Sequence, residues 1–366
     1  MVVESLSLEN YRNYENAEID FCPDVNVITG MNAQGKTNLI EAVYYLTCGR
    51  SFRAQSDREL IKFNSDFGSI SADIFSQSRK QNIEVKLHRG RRKTITVNGG
   101  KIRNMSELSG KLTAVLFCPN DLFMIKSASV YRRRLMDGCI SQLRPKYAAA
   151  LNEYRRLYER KLRILKDGDR SMMSALYDFN MRMCEMSAVI IHYRASFVRL
   201  LEEKAKKIHL EFSGGEELGI HYKTVSYVTD PEKKPSELLP YLIRHQEDLL
   251  NAEIEARRCL SGAHKDDLEI TINGISAKSF GSQGQVRSAA ISIKLAEREI
   301  HFSDSGEYPV LLLDDVLSEL DSSRQEFILN SIDDGQVFIT CCEATDISKK
   351  TGGNVIEVKG GEIRRV

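Results

Sequence analysis

The stretch of sequence that decides the fold is Gly30, Met31, Asn32, Ala33, Gln34, Gly35, Lys36 and Thr37. It matches G-x-x-x-x-G-K-[ST], a glycine-rich loop whose backbone N–H groups surround nucleotide phosphates. A β-branched run, residues 25–28, precedes the loop, and apolar side chains recur at helical spacing over residues 39–46. Because strand, loop and helix follow one another in the required order, we predict a P-loop that binds ATP. A chance glycine-rich turn would not need this context.

The whole loop is predicted to bind nucleotide, and two of its side chains have distinct roles. Lys36 is expected to reach the β- and γ-phosphates, which makes it a catalytic as well as a binding residue. The Thr37 hydroxyl is expected to ligate Mg²⁺. ATP and Mg²⁺ are therefore the predicted cofactors.

A second chemical element lies far along the chain, where an apolar run ends in two carboxylates. Residues 310–313 are uninterruptedly apolar, as in a buried parallel strand, and Asp314 and Asp315 follow them. Asp314 is predicted to hold Mg²⁺, and Asp315 to polarise the attacking water. A surface turn after a buried strand is the alternative, but the presence of the P-loop favours the functional interpretation.

Two segments compete for the role of a signature loop, which must open a helix that leads directly to the acidic strand. They are residues 212–216, Phe-Ser-Gly-Gly-Glu, and residues 279–285, Ser-Phe-Gly-Ser-Gln-Gly-Gln. Only the second is followed by a helical pattern and then the acidic strand, so we predict the first to be a turn. Ser282 and Gly284 are expected to contact the γ-phosphate of a nucleotide held by a second copy of the chain. An ordinary flexible loop is the alternative.

The order of these patterns predicts an α/β fold, an ABC-type ATPase head in which a P-loop mixed sheet lies beside an antiparallel β-layer. Residues 1–119 are expected to form the N-terminal part of the head, with the P-loop and the β-layer. Residues 120–260, rich in helix-forming residues, are expected to form an inserted helical lobe. Residues 261–366 would complete the head with the signature loop, the acidic strand and a D-loop at residues 318–321 that otherwise only caps a helix.

Charge gives a local rather than a global signal. The 366 residues carry a formal net charge of +1, so a DNA-binding surface has to be a patch. Basic residues far outnumber acidic ones between residues 80 and 134. The candidate DNA contacts are Arg89, Arg91, Arg92, Lys93, Arg132, Arg133 and Arg134. A solvated basic face is an equally good interpretation of charge by itself.

The eight cysteines include no C-x-x-C pair, which argues against a zinc site. The N-terminus lacks a basic region followed by an apolar one, and no apolar run approaches the roughly 18 residues of a membrane span. These observations predict a cytoplasmic protein with reduced thiols and no membrane partner.

Several motifs resemble the RecF family of bacterial proteins, in family order over nearly the whole chain. They occupy residues 10–14, 30–42, 49–53, 117–122, 262–267 and 282–285. The resemblance implies an ATP-dependent homodimer that binds duplex or gapped DNA in recombinational repair and replication restart and is tied to the SOS response. It implies a weak, DNA-stimulated ATPase used as a switch, and help in loading the RecA recombinase together with RecO and RecR. It also implies that Arg12 lies near the nucleotide.

The chain departs from the family pattern at a few positions. Asn120 stands where Glu is expected, and Ala263 and Lys265 stand where Pro and Arg are expected. Thr340 stands where transporter-type ABC ATPases carry a switch His, which puts γ-phosphate sensing in question. For His264, a functional loop residue and a structural turn residue both stay open.

Two other classes of protein share part of this sequence pattern. A metabolic P-loop kinase explains the P-loop and the acidic strand but has no need of a signature loop. A structural tether of the SMC type needs long heptad arms, and residues 120–260 are too few for them.

Overall fold

The computed structural model describes residues 1–168, 175–332, 334–342 and 345–365. These residues form two compact units: residues 1–123 with 287–366, called here the head, and residues 124–286, called here the lobe. The strands are β1 (Val2–Tyr11), β2 (Tyr14–Asp20), β3 (Val25–Thr29), β4 (Phe67–Ser76), β5 (Arg79–His88), β6 (Thr94–Val97), β7 (Gly100–Lys101), β8 (Ala114–Phe117), β9 (Leu218–Lys223), β10 (Asp267–Ile272), β11 (Ile275–Ser276), β12 (Val310–Leu313), β13 (Val337–Cys341), β14 (Asn354–Lys359) and β15 (Glu362–Arg365). The described α-helices are α1 (Lys36–Cys48), α2 (Ser129–Leu143), α3 (Pro145–Asp167), α4 (Leu176–Ser213), α5 (Pro235–Ala256), α6 (Ala277–Phe280), α7 (Gln283–Ser305), α8 (Ser322–Asn330) and α9 (Thr345–Thr351).

The head contains a mixed sheet in the order β15-β14-β3-β13-β12-β8. All its neighbours are parallel except the β14–β15 pair. Strand β12 lies between β8 and β13, and all four of its side chains are buried. Burial on both faces of the sheet explains its unbroken apolar sequence. The P-loop follows β3 and the two carboxylates follow β12, so both elements lie at the carboxyl edge of the sheet, where α/β proteins bind ligands.

The second sheet of the head is antiparallel, in the order β2-β1-β4-β5-β6-β7. Its strands alternate buried and exposed side chains, as expected for a sheet with one face on the core. The β6–β7 hairpin turns at Asn98 and Gly99, both with positive φ, as the Asn-Gly pair predicts. The predicted fold class, an ABC-type α/β head with an antiparallel layer, is thus confirmed by this architecture.

The lobe combines the four long helices α2 to α5 with a three-stranded antiparallel sheet in the order β11-β10-β9. It extends to residue 286, whereas the predicted lobe ends at residue 260. The difference arises because β10 pairs with β9 from Asp267↔Lys223 to Ile272↔Leu218, a long-range pairing that no local pattern reveals. None of the helices in the described ranges is both long enough and apolar enough to cross a membrane.

Candidate nucleotide site

Two glycines give the P-loop its shape because a side chain would not fit at either position. Gly30 has a φ of 146°, and a Cβ there would lie 2.3 Å from the Val358 carbonyl oxygen. Gly35 has a φ of 121°, and a Cβ there would meet the side chain of Asn13 and the Tyr14 hydroxyl within 2.9 Å. Both glycines are therefore required by sterics as well as by backbone conformation.

The lysine of the loop, Lys36, bonds to the backbone at the start of the same loop. Its side chain is only 4% exposed, and its ammonium donates to the carbonyl oxygens of Gly30 (2.6 Å) and Met31 (3.2 Å). These carbonyls lie at the start of the loop, so the charge of Lys36 is held across the loop. An ammonium in this position complements the charge of a bound phosphate.

The acidic strand end meets the P-loop through the next side chain, Thr37. Its hydroxyl donates to Asp314 Oδ1 at 2.9 Å, although the two residues are far apart in the sequence. The Thr340 hydroxyl donates to the same Oδ1 at 3.0 Å and accepts from the Asp315 backbone N–H at 2.8 Å. Burial raises the pKa of Asp314, and the two hydroxyl donors oppose that rise. The predicted pair of metal-binding residues, Thr37 and Asp314, is thus in direct contact.

Thr340, which stands where transporter-type ABC ATPases carry a switch His, has a structural role in this fold. Replacing Thr340 by Val removes the hydroxyl but keeps the shape, leaving the Asp315 N–H without its acceptor and Asp314 with one donor fewer. A buried group left without its partner costs about 1–3 kcal/mol, so the free energy of unfolding in urea should fall by that amount. Thr340→Ser keeps the hydroxyl and is the matched control; equal losses in the two variants would contradict this role.

Several side chains around the P-loop were missed as individual site residues. Asn13 donates to the Gln34 carbonyl at 2.7 Å and accepts from the Asn38 amide at 2.8 Å. Arg53 donates to Asn38 Oδ1 at 3.3 Å, and burial raises the pKa of Asp314 while the charge of Arg53 opposes part of that rise. Only the resemblance of residues 10–14 and 49–53 to the family pointed to Asn13 and Arg53, because no motif spacing connects these residues to the P-loop.

Arg12 has the left-handed φ of 52° and lies one residue from Asn13, which contacts the P-loop. Its guanidinium forms a bidentate pair with the fully buried Glu41 of α1, with both N···O distances 2.8 Å. A third bond runs to the Glu59 carbonyl at 3.0 Å. Burial of the guanidinium lowers the pKa of Arg12, but the hydrogen bonds and charge of Glu41 outweigh this and the net pKa is raised. In this structure Arg12 joins the turn after β1 to α1 through Glu41, and its proximity to the nucleotide stays a prediction.

The predicted signature loop opens α7 as expected. Ser282 caps that helix through a reciprocal pair of bonds: its N–H donates to Gln285 Oε1 at 3.0 Å and its Oγ accepts from the Gln285 N–H at 3.2 Å. Ser282 is exposed, and Gly284 follows it in the first turn of the helix. The rejected candidate, residues 212–216, is the predicted turn, because α4 ends at Ser213 and Gly214 adopts the left-handed conformation.

Some of the candidate DNA contacts are exposed, and others are bonded to neighbouring segments of the protein. Arg91, Arg92 and Arg134 are exposed. Arg89 instead donates to the carbonyls of Ser65 and Lys62, and Lys93 pairs with Asp57 at 3.0 Å and bonds the Tyr45 hydroxyl at 2.7 Å. Arg89 thus joins the end of β5 to the loop before β4, and Lys93 joins its own segment to α1 and to Asp57.

Within the lobe, the prediction that Arg132 contacts DNA is wrong. Its side chain is 2% exposed, pairs with Asp267 at 2.7 Å and donates to three carbonyls near the start of the lobe. Arg133 is half-buried and donates to the Asp266 carbonyl at 2.7 Å. A run of three arginines on a helix cannot point the same way, and only Arg134 of this run is exposed.

The family-like segment 262–267 forms a buried polar centre in the lobe. Asp266 is fully buried and accepts from Arg194, from the Tyr222 hydroxyl and from the Thr224 hydroxyl at 2.7 Å or less. His264 bonds the Tyr154 hydroxyl at 2.7 Å and the Cys259 carbonyl at 3.2 Å. Of the two interpretations of His264, the geometry favours the structural one.

Burial lowers the pKa of His264 to about 4 from its usual 6.5. Between pH 6.5 and about 4, His264 is protonated in the unfolded chain but neutral in the folded chain. Protonation therefore stabilises the unfolded state, and the contribution of His264 to the free energy of unfolding decreases as the pH falls towards 4. The change amounts to about 3 kcal/mol at most, at 1.36 kcal/mol per pH unit. In urea unfolding, the stability difference between the wild type and His264→Gln should shrink over this range. A difference that stays constant from pH 7 to about 4 would contradict the assignment.

The donor set at the carboxyl edge of the sheet fits a hard divalent cation and a polyphosphate. The Thr37 hydroxyl and the Asp314 carboxylate supply adjacent oxygens of the kind that Mg²⁺ prefers, and Lys36 supplies the charge for phosphate. With a capped signature helix leading to the acidic strand, fold and site together define a nucleotide-binding head of the ABC/SMC ATPase class.

Comparison with known proteins gives the family. Residues 2–360 match the RecF/RecN/SMC N terminal domain. The chain is 38% identical over 365 residues to the DNA replication and repair protein RecF of Clostridium acetobutylicum, covering 99% of each chain. The chain therefore belongs to the RecF family.

Solved structures agree with this assignment. The recombination mediator protein RecF of the RecFOR pathway, in its RecF-ATPrS form, superposes with a TM-score of 0.91 at 31% identity, covering 100% of this chain and 98% of that one. The RecF-ATP form gives a TM-score of 0.89 at 31% identity, with coverages of 100% and 97%.

Proposed function

We propose that this protein is an ATP-switched DNA-binding protein of recombinational repair and replication restart, acting in the RecFOR pathway. The observation that carries the proposal is the contact between Thr37 and Asp314 beside Lys36, because it assembles a nucleotide site from distant parts of the chain. Relatives named for DNA replication and repair, and a RecF solved with ATP, support the same conclusion.

ATP is the ligand of this site. The backbone of residues 30–37 and the Lys36 ammonium bind its phosphates, and the carboxylate of Asp315 orients the attacking water. Mg²⁺, when bound by Thr37 and Asp314, neutralises phosphate charge. Hydrolysis is slow and stimulated by DNA, so it serves to reset a switch.

The functional unit is a homodimer with two shared sites. In heads of this class the signature loop contacts the nucleotide held by a second copy, here through Ser282 and Gly284. ATP therefore stabilises the dimer, because only the dimer contacts both sides of the triphosphate. Measuring the molecular mass of the full chain in solution, with and without ATP and Mg²⁺, tests the proposal. A dimer is expected only when both are present, and a monomer under all conditions would contradict the proposal.

The dimer binds DNA largely independently of sequence, and its protein partners are RecR and RecO, with RecA as the recombinase that is loaded. DNA binding uses exposed arginines against phosphates. The exposed candidates are Arg91 and Arg92 of the head and Arg134 of the lobe, whose guanidinium lies over the Tyr131 ring, 5.6 Å from its centroid.

Replacing Arg91 or Arg92 by Gln should weaken DNA binding about equally for unrelated sequences. Each change should reduce the slope of log affinity against log salt by about one unit, since each lost phosphate contact removes one released counterion. Anisotropy titrations over a range of salt measure this. Lys80→Gln is the control, because Lys80 lies at the other end of β5 and is paired with Glu4. A slope changed as much by Lys80→Gln would refute a local DNA surface.

A further inference from the structure

The C-terminal hairpin of the head, β14 and β15, lies against the P-loop. Strand β14 runs parallel to β3, with Glu357 opposite Thr29, the last residue of β3. The turn between β14 and β15, residues 360–361, therefore lies beside the loop that follows β3. A Cβ at Gly30, where the loop begins, would lie 2.3 Å from the carbonyl oxygen of Val358 in β14. A segment that carries none of the nucleotide motifs thus borders the nucleotide site.

Two backbone N–H groups of this turn are bonded to one residue of the P-loop, Gln34. The Gly360 N–H donates to Gln34 Oε1 at 2.6 Å, and the Gly361 N–H donates to the Gln34 carbonyl oxygen at 3.2 Å. The Asn13 side chain donates to the same carbonyl oxygen at 2.7 Å. Both polar ends of Gln34 that accept hydrogen bonds are therefore held by segments outside the loop.

The P-loop backbone needs this support because part of it is strained. Ala33, which precedes Gln34, has a φ of 64°, in the left-handed region that residues with a side chain avoid. Backbone of this kind persists only where the surrounding structure holds it. The bonds to Gln34 from the turn and from Asn13 supply that hold. If the turn moved away, the loop would relax into other conformations, and only the fraction left in the original one could bind phosphate.

We propose that the turn at Gly360 and Gly361 holds the P-loop in its phosphate-binding conformation through Gln34. The turn and the Gln34 side chain are positioning residues, since they act on the nucleotide through the loop backbone. The inference rests on the proposed binding of ATP at this loop and deepens it, because it makes ATP affinity depend on the position of the C-terminal hairpin. The coupling is reciprocal, so bound ATP also holds the turn in place.

The first test measures the ATP affinity of the full chain by calorimetric titration in the presence of Mg²⁺. A Cβ at Gly361 would lie 2.6 Å from the Asn13 carbonyl oxygen, so a methyl group there displaces the turn. Gly361→Ala should weaken ATP binding about tenfold, as expected when the fraction of competent loop falls to about a tenth.

Gly352→Ala is the matched control for backbone strain. Gly352 also has a positive φ, 62°, and lies in the head before β14, but a Cβ there would meet nothing within 4 Å. This variant should bind ATP as the wild type does. Equal weakening by Gly361→Ala and Gly352→Ala would assign the effect to general destabilisation and overturn the inference, as would an unchanged affinity in Gly361→Ala.

A second variant decides the question even if Gly361→Ala fails to fold. Gln34→Ala removes the acceptor of the Gly360 N–H without introducing a clash, and it should weaken ATP binding about fivefold, the effect of one lost hydrogen bond. An unchanged ATP affinity in Gln34→Ala would contradict the positioning role.

Amide exchange in the wild type gives a measurement that a merely structural turn would not change. Saturating ATP should slow exchange of the Gly360 and Gly361 N–H groups by up to about tenfold, the reciprocal of the expected affinity loss. NMR of protein labelled at its glycine nitrogens measures these rates. Equal rates with and without ATP would overturn the inference while ATP binding stands. If the wild type did not bind ATP, the proposed function itself would fall.

Discussion

Lys36→Met is expected to weaken ATP binding by about a hundredfold or more. The Lys36 ammonium is held across the P-loop by the carbonyls of Gly30 and Met31, where it is ready to pair with phosphate. Lys36 is proposed to bond both the β- and the γ-phosphate. Hydrogen bonds to charged groups contribute about 1.5–3 kcal/mol each, so losing these two bonds to ATP gives a factor of this size. Methionine fills a similar space without the charge.

Calorimetric titration with ATP and Mg²⁺ measures the effect. Lys80→Met is the control, because Lys80 is an exposed lysine of the same unit and far from the P-loop in the sequence. The Lys36 variant should also stay monomeric when ATP is added, whereas the Lys80 variant should dimerise. An unchanged ATP affinity in Lys36→Met would show that the nucleotide does not bind at this loop.

Ser282→Asp should abolish ATP-driven dimerisation and leave ATP binding by the monomer unchanged. In this fold Ser282 has two separable tasks: it caps α7 together with Gln285, and its exposed hydroxyl is the proposed contact to the γ-phosphate of a second copy. Aspartate is as good an N-cap as serine, so the helix should persist. Its negative charge would instead repel the phosphate across the interface.

Ser282→Asn is the matched control because it caps the helix without adding charge, and it should preserve most of the dimerisation. Sedimentation with ATP and Mg²⁺, combined with ATP titrations at low protein concentration, measures both properties. A monomeric kinase would show no such separation between nucleotide binding and association. If Ser282→Asp dimerised like the wild type, the signature loop would have to be sought elsewhere.

Much of the head could be predicted from the sequence, because its motifs are local. The P-loop pattern, the apolar run before Asp314 and the helix after Ser282 each indicate an element and its chemical role over a few residues. The end of the lobe could not be predicted, because it depends on the pairing of β10 with β9. The local sequence of a strand does not specify which distant strand it pairs with.

The basic segment shows the same limit for single side chains. Charge by itself did not distinguish Arg132, which is buried against Asp267, from Arg134, which is exposed. Likewise, Lys93 and Arg92 are neighbours in the sequence, but only Lys93 is held by Asp57. Which arginine or lysine is free depends on where the carboxylates and carbonyls of other segments come to lie.

The sequence by itself determined the class of protein and the residues proposed to bind phosphate, because each of these motifs lies within a few consecutive residues. Only the tertiary structure decided that Thr37 contacts Asp314 and that Thr340 bonds both Asp314 and Asp315. Contacts of this kind join segments that are distant in the chain. They form only when the packing of the sheets brings those segments together, and no local pattern encodes that packing.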